Sequence, residues 1–343
     1  MSKKQIHSKS LEVIEAYSEY SHCAFFFREN NFQNNVIQCH FENCSFRTDV
    51  MFGRLENCKF TNCSFWGKSQ FLDIEDCFFR NVNIPYGIFL VSLRNTTFED
   101  CDLHDTCLES VQVESTNFIK VCLQKAKIDV LFSGNSTFQF CDLSSANLES
   151  SSGNFSIENS NCSHANLKLI SCFAGSLHNT NFSFAHLQQI YCRDIDFSGA
   201  NLQDAIVLDA DLEDANFTNA NLQNCNLKFS NLAGASFVNA NLQHTNMNCC
   251  SLMGAKFSDS QLEHTDLGFT YLHCAEITIE QLAKCKIRGK MLVGSCQLLQ
   301  QIKKLSLYLV WHARFDEWEA EVKILKKEEK NLNGVVRPLP RSG

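Results

Sequence analysis

Proline occurs 3 times in 343 residues and glycine 14 times. That is too little turn chemistry for the many hairpins of a β-sandwich or an up-and-down barrel. Tyrosine (6) and tryptophan (3) are scarce beside 29 phenylalanines, so the aromatic content belongs inside rather than on display. No run approaches the ~18 apolar residues of a membrane span. The N-terminus leads into Glu-bearing sequence with no secretory apolar core, which predicts a cytoplasmic chain. Secretion by a non-classical route lies outside that test. No Gly-rich phosphate loop, nucleophile elbow or His-Glu metal helix is found.

What is present argues for one unusual architecture. The length would ordinarily suggest two domains. Hydrophobic residues make up 44% and charged residues 20%, a composition that folds. Residues 1–22 balance three Lys against three Glu, and residues 295–343 carry nine Lys/Arg against six Asp/Glu. Residues 23–294 are left with 18 basic and 29 acidic groups, a balance of −11. Direct binding to nucleic acid by that stretch is not expected, because phosphate contact needs the opposite sign.

The period is five. Ala200-Asn201-Leu202, Ala210-Asp211-Leu212, Ala215-Asn216-Phe217, Ala220-Asn221-Leu222 and Ala240-Asn241-Leu242 share one register. From Ile157 to Ile277 every fifth residue holds that register. Five fits neither the helical 3.6 nor the strand 2.0. Every fourth large position then forms a column: Phe197, Phe217, Phe237 and Phe257 lie 20 residues apart. Running backwards, the column reads Leu177, Ile157, Phe138, Phe118, Phe98, Phe79, Phe60 and Phe41, at steps of 20 or 19. A second column reads Phe27, Phe46, Phe65, Ile84, Leu103, Leu123, Leu143, Cys162, Phe182 and Leu202. Four five-residue sides per coil let each coil hydrogen-bond its neighbours as strands do, at ~4.8 Å. About 13 such coils give a narrow rod of order 60 Å.

Four-residue steps at Met51 to Leu55, Gln70 to Ile74, Phe89 to Leu93 and Leu148 to Ser152 trim one corner in the N-terminal half. Where the fourth column weakens to Ser133, Ser152, Cys172 and Cys192, enlarged residues Leu131, Ile170 and Ile190 compensate two positions earlier. Close packing demands such compensation.

The motif resembles the pentapeptide-repeat family: a small residue, Asn or Asp, Leu or Phe, and two variable positions. The resemblance covers residues 22–277 and is most specific in 195–272. It implies an all-β fold, a right-handed quadrilateral β-helix. In the N-terminal half Cys or Val replaces Ala and Asn or Asp shifts position.

The flanks read differently. Leu11, Ile14 and Tyr17 predict a helical cap over 1–21. Residues 278–294 are expected to close the other end, with a helical turn over Thr278–Cys285, because an open coil exposes apolar interior and unpaired backbone. In residues 295–332, Leu298, Ile302, Leu305 and Leu309 run at 4-3-4 spacing and Trp311, Phe315, Trp318, Val322 and Leu325 at 4-3-4-3, the stripes of one or two amphipathic helices. These stripes serve as a cap over the last coil or as the seam of a homodimer. Residues 333–343 are a loose tail.

The chain has 19 cysteines, an odd number in a chain too large for a disulfide scaffold. Cys39-x4-Cys44 and Cys58-x4-Cys63 imitate metal boxes, yet each cysteine sits two residues before a large position, in the slot that alanine fills later. They read as small buried hydrophobes, as do Cys77, Cys101, Cys141, Cys225 and Cys250. His164, His244 and His264 share outward slots with no third ligand, so no metal and no cofactor is implied. A rod without a cleft gives its carboxylates no burial, and the expectation is that the protein is not an enzyme.

Asp194, Asp196, Asp204, Asp209, Asp211, Glu213 and Asp214 fall within about one coil and ring the rod. They make the candidate interaction surface. The reading is a non-catalytic scaffold presenting an acidic surface to a protein partner. The resemblance supplies two alternatives. One is a DNA mimic that binds or protects DNA gyrase or topoisomerase IV, as quinolone-resistance members of the family do. The other is a bacterial effector acting in host cells. Against mimicry, no carboxylate row recurs at 20-residue spacing.

Overall fold

The computed structural model describes residues 4–27, 33–84, 88–172 and 175–287, together with 291–292, 310–311, 323–324 and 327. The main body is a four-sided parallel β solenoid. Each coil lies on the next through parallel pairs such as Phe41 with Phe60, Phe79 with Phe98 and Phe118 with Phe138. In the regular half the ladder shrinks to single bridges, Asn181 to Asn201 to Asn221 to Asn241.

The five-residue period has a backbone cause. Leu202 N donates to Asn221 O at 2.7 Å and Asn221 N donates to Ala200 O at 2.9 Å, so every coil is satisfied from both sides. Between sides, Ala205 N closes a turn on Leu202 O at 3.1 Å, with Asp204 at φ 57°. From Leu177 to Leu272 the residue two after each large position takes this left-handed conformation, which Asn, Asp and Gly tolerate best. Asn in the second slot has its own work. Asn221 Nδ2 donates to Asn201 Oδ1 at 2.9 Å, and Asn221 Oδ1 accepts in turn from Asn241 Nδ2 at 3.1 Å. Its Oδ1 also accepts Gln223 N at 3.3 Å.

The core is the predicted column. Rings of Phe98, Phe118 and Phe138 stack at 5.3 and 4.6 Å, and those of Phe197, Phe217, Phe237 and Phe257 at 5.1, 5.1 and 5.2 Å, all nearly parallel. None is more than 1% exposed. Cys39, Cys44, Cys58, Cys63, Cys77, Cys101, Cys141, Cys225 and Cys250 are buried free thiols in the small slot. Ile170, Cys172, Ile190 and Cys192 are buried together, as volume compensation requires.

Several expectations need correction. Residues 4–21 are not a helix: Lys4–His7, Ser10–Leu11 and Ser18–Ser21 are strands. Lys4 pairs with Ser18, 14 residues on, so the first coil is a shortened one that tapers the rod. Ile6 and Ile14 are buried in it, with Leu11 half-buried against the core. Ile6 and Leu11 are five apart, and that period overrides the accidental helical spacing of Leu11, Ile14 and Tyr17. In the second column it is Phe25 that pairs with Phe46, at 4.9 Å between rings, while Phe27 lies 6.5 Å away. Phe25 follows the left-handed corner His22 by three residues, as Phe46 follows Asn43.

The trimmed corner is a straightened one. Val50–Glu56, Ser69–Glu75 and Ile88–Arg94 run as uninterrupted seven-residue strands across two sides. In extended chain alternate residues face inward, so Phe52, Phe71 and Leu90 are buried while Met51 is exposed. Leu131 likewise points out, and Val130 and Phe132 fill the interior. Where this strand meets the next coil, Gly153 takes φ 113°, and a Cβ there would stand 1.9 Å from Phe132 O. Only glycine fits.

The C-terminal turn is as expected. Helix Ile279–Leu282 carries a capping box between Thr278 and Gln281, and Gln281 Nε2 donates to Phe257 O at 2.6 Å, closing the last coil. Beyond it, Val310–Trp311 pairs parallel with Met291–Leu292, so Trp311 is a strand residue rather than part of a helical stripe. β-Branched and aromatic residues such as Val310 and Trp311 favour the extended conformation of such a ladder. Phe315, Trp318, Val322 and Leu325 lie outside the described residues, as do 333–343.

Candidate interaction surface

The seven acidic residues come from three positions of the repeat. Asp194, Asp204, Asp209 and Asp214 occupy left-handed corners at φ 55°, 57°, 59° and 57°. Asp196 and Asp211 take the Asn slot, and Glu213 follows Leu212 on the same side. Because a coil turns through four sides, these groups surround the rod.

Two of them belong to the ladder. Asp196 Oδ1 accepts Ser198 N and Asn216 Nδ2, both at 2.9 Å. Asp211 Oδ1 accepts Asn231 Nδ2 at 3.0 Å, and its other oxygen accepts Arg193 Nε at 2.8 Å. Arg193 also reaches Glu213 at 3.1 Å. Asp211 first, then Glu213, raise the affinity of that guanidinium for its proton. Asp204 accepts from Asn224 at 3.0 Å and Asp209 from Gln189 at 3.2 Å. Asp214 Oδ1 sits where a Cβ on Gly234 would stand, 1.9 Å away, and Asp194 and Asp214 are exposed. The structure therefore brings together Asp211, Glu213 and Arg193, and distributes the rest.

His244 and His264 lie in successive corners with ring centroids 5.0 Å apart, tilted by 34°. Among the described residues no group of three or more His, Cys, Asp or Glu is placed to hold a metal ion. Among them, too, no helix is long and apolar enough to cross a membrane.

One feature went unread in the sequence. Large apolar side chains occupy left-handed corners at Leu169, Phe184, Phe229 and Phe269, with φ between 54° and 65°. Leu169 and Phe184 are 48% and 47% exposed. A bulky residue is costly in that conformation. The signal was available: each sits two residues after a large position, where Asn, Asp or Gly is expected.

The fold defines the class: a repeat solenoid with a filled apolar interior and its polar side chains outside. The family follows from the repeat itself. Residues 176–207, 210–248 and 235–268 match the family "Pentapeptide repeats" in 8 copies, so this stretch of the chain is built of pentapeptide repeats. No curated protein matches. Solved structures similar in fold include HetL, a pentapeptide-repeat protein involved in heterocyst differentiation regulation from the cyanobacterium Nostoc. It is 23% identical, with 61% of this chain and 84% of that one covered and a TM-score of 0.24. QnrB1, a plasmid-mediated fluoroquinolone resistance protein, is 19% identical over 54% of this chain and 97% of its own, with a TM-score of 0.37. Rfr23 from the cyanobacterium Cyanothece is 16% identical over 34% of this chain and 88% of its own, with a TM-score of 0.29.

Proposed function

We propose that this protein is a non-catalytic rod that binds another protein through its outer surface. The observation that supports the reading is the filled interior. Phe197, Phe217 and Phe237 lie ring on ring with no more than 1% exposure, so recognition falls to the outward side chains. Their carboxylates are spread over four sides and partly neutralised by Arg193, which suits a scaffold better than a continuous negative duplex-like stripe.

The test is retention of a partner by the purified full-length chain, measured against a variant with Asp204, Asp209, Glu213 and Asp214 changed together to Asn or Ser. A scaffold retains a partner saturably, and a surface substitution somewhere on the rod abolishes retention while leaving the thermal midpoint in place. A rod that retains nothing, or whose retention no surface substitution changes, sinks the proposal. The same protein goes into a gyrase supercoiling assay. Inhibition at micromolar protein that disappears in the four-residue variant would replace the scaffold reading with DNA mimicry.

A further inference from the structure

On an acidic rod most arginines are neutralised within it. Arg54, Arg80, Arg94 and Arg193 each reach a carboxylate, at 2.6, 3.7, 3.5 and 2.8 Å. Arg47 alone among the described arginines reaches none, and it is exposed. Its Nε donates to Ser45 Oγ at 3.1 Å, and its Cζ lies 5.2 Å from the centre of the Trp66 ring. The rest of its fork is left for an acceptor. Arg193 lies over Tyr191 in a similar way, at 5.5 Å, but there Asp211 and Glu213 already take the charge.

Phe26, Arg47 and Trp66 form one row on successive coils. Phe26 N donates to Leu11 O at 2.8 Å, Arg47 N to Phe25 O at 2.9 Å and Trp66 N to Phe46 O at 2.8 Å, which fixes their register. Beneath them Ser10–Leu11, Ala24–Phe25, Ser45–Phe46 and Ser64–Phe65 make one four-stranded sheet. Behind it the rings of Phe25, Phe46 and Phe65 stack at 4.9 and 4.3 Å. Trp66 Nε1 donates to Ser64 Oγ at 3.0 Å, so the one polar group of the indole is satisfied within the row. At the corner that follows, a Cβ on Gly67 would stand 2.5 Å from Asp49 N, and Lys68 N donates to Asp49 Oδ1 at 2.9 Å. Asp49 thus answers the backbone rather than Arg47. Glu12 heads the row, two coils away from Arg47.

On this rigid base Phe26 and Trp66 are nonetheless 44% and 55% exposed. Trp and Arg are the residues that dominate binding hot spots, and side chains already held in place lose little freedom on binding. The unpaired guanidinium selects an anion. Residues 23–294, with a balance of −11, repel a polyanion such as nucleic acid or an acidic polysaccharide. A single carboxylate set among apolar atoms is what one fork between two aromatic rings accommodates. We propose that Phe26, Arg47 and Trp66 form a docking row for a protein segment that presents one carboxylate beside an apolar side chain. This deepens the protein-binding reading and rests on it.

The experiment pans a random peptide library on the full chain, with subtraction on the Arg47→Gln and Trp66→Ser variants. It should recover peptides bearing one Asp or Glu beside a large apolar residue. The dissociation constant of a synthetic copy should rise at least about tenfold in either variant, and equally when its carboxylate is replaced by the amide. Both side chains are exposed, so the thermal midpoints of the variants should match that of the parent. The proposal is overturned if no recovered peptide separates parent from variants, if the amide copy binds as tightly, or if hexaglutamate or oligothymidylate competes as strongly as the peptide. Self-association of the parent that Arg47→Gln abolishes assigns the row to a second copy and overturns it too. A partner retained equally by the Arg47→Gln variant refutes the row alone, whereas a rod that retains nothing refutes the reading beneath it.

Discussion

Replacing Phe217 with alanine tests the stacked interior most directly. The ring is 1% exposed and lies between Phe197 and Phe237, at 5.1 Å and 5° from each. Truncating a buried Phe costs about 3–5 kcal/mol, including the residual cavity, and two stacked ring contacts at about 0.5–1.5 kcal/mol each place this site toward the upper end. Neighbouring coils hold the cavity open, because each is pinned by ladder bonds on both sides. Phe217→Leu should cost less, about 1–2 kcal/mol, since Leu177 already occupies the column two coils earlier. In a solenoid each coil meets only its neighbours, so the damage stays local. The assay is residue-resolved hydrogen exchange combined with guanidinium unfolding. Protection should fall most between about Phe197 and Phe237 and recover within a few coils. A cost below about 1 kcal/mol, or an equal loss of protection back to the Phe41–Phe98 coils, would refute the reasoning.

Alkaline pH tests the cysteine slots. Burial pushes the Cys101 thiol from its ordinary 9.0 up to about 12 and the Cys141 thiol to about 11. Both stay protonated when folded and ionise when unfolded, so their stabilisation is complete below pH 9 and is lost as pH rises toward 11 and 12. Cys101→Ala with Cys141→Ala should flatten the fall in denaturation midpoint over that window, and an unchanged slope would contradict it. Thr278→Ala should fray the closing turn at a cost of about 0.5–2 kcal/mol, read as faster exchange at Leu282 and Ala283. Gly153→Ala must move Phe132 O or abandon φ 113°, costing about 1–3 kcal/mol. A thermal midpoint unaltered in that variant would count against the strained junction.

The regular half was legible because its period is imposed by bonds that every coil repeats. Ala220-Asn221-Leu222 states small slot, amide ladder and core in three letters. The N-terminal half was legible only in its columns. Straightening a corner changes which residue faces inward without changing the spacing of the buried set, which is how Met51 and Leu131 came to be read as interior. Corner aromatics such as Phe184 escaped notice because their position looks variable until its backbone conformation is known.

By itself the sequence determined a parallel stack of four-sided coils, since apolar side chains at a period of five can be buried together in no helix or flat sheet. It also determined that cysteine fills the alanine slot, because volume there is fixed by the coil above and below. The tertiary structure alone decided that the first coil shrinks to 14 residues, that one edge of the N-terminal coils runs straight, and that Arg193 quenches part of the acid ring. Those outcomes depend on contacts between residues about 20 apart, and a contact across coils takes its geometry from both, not from either segment read alone.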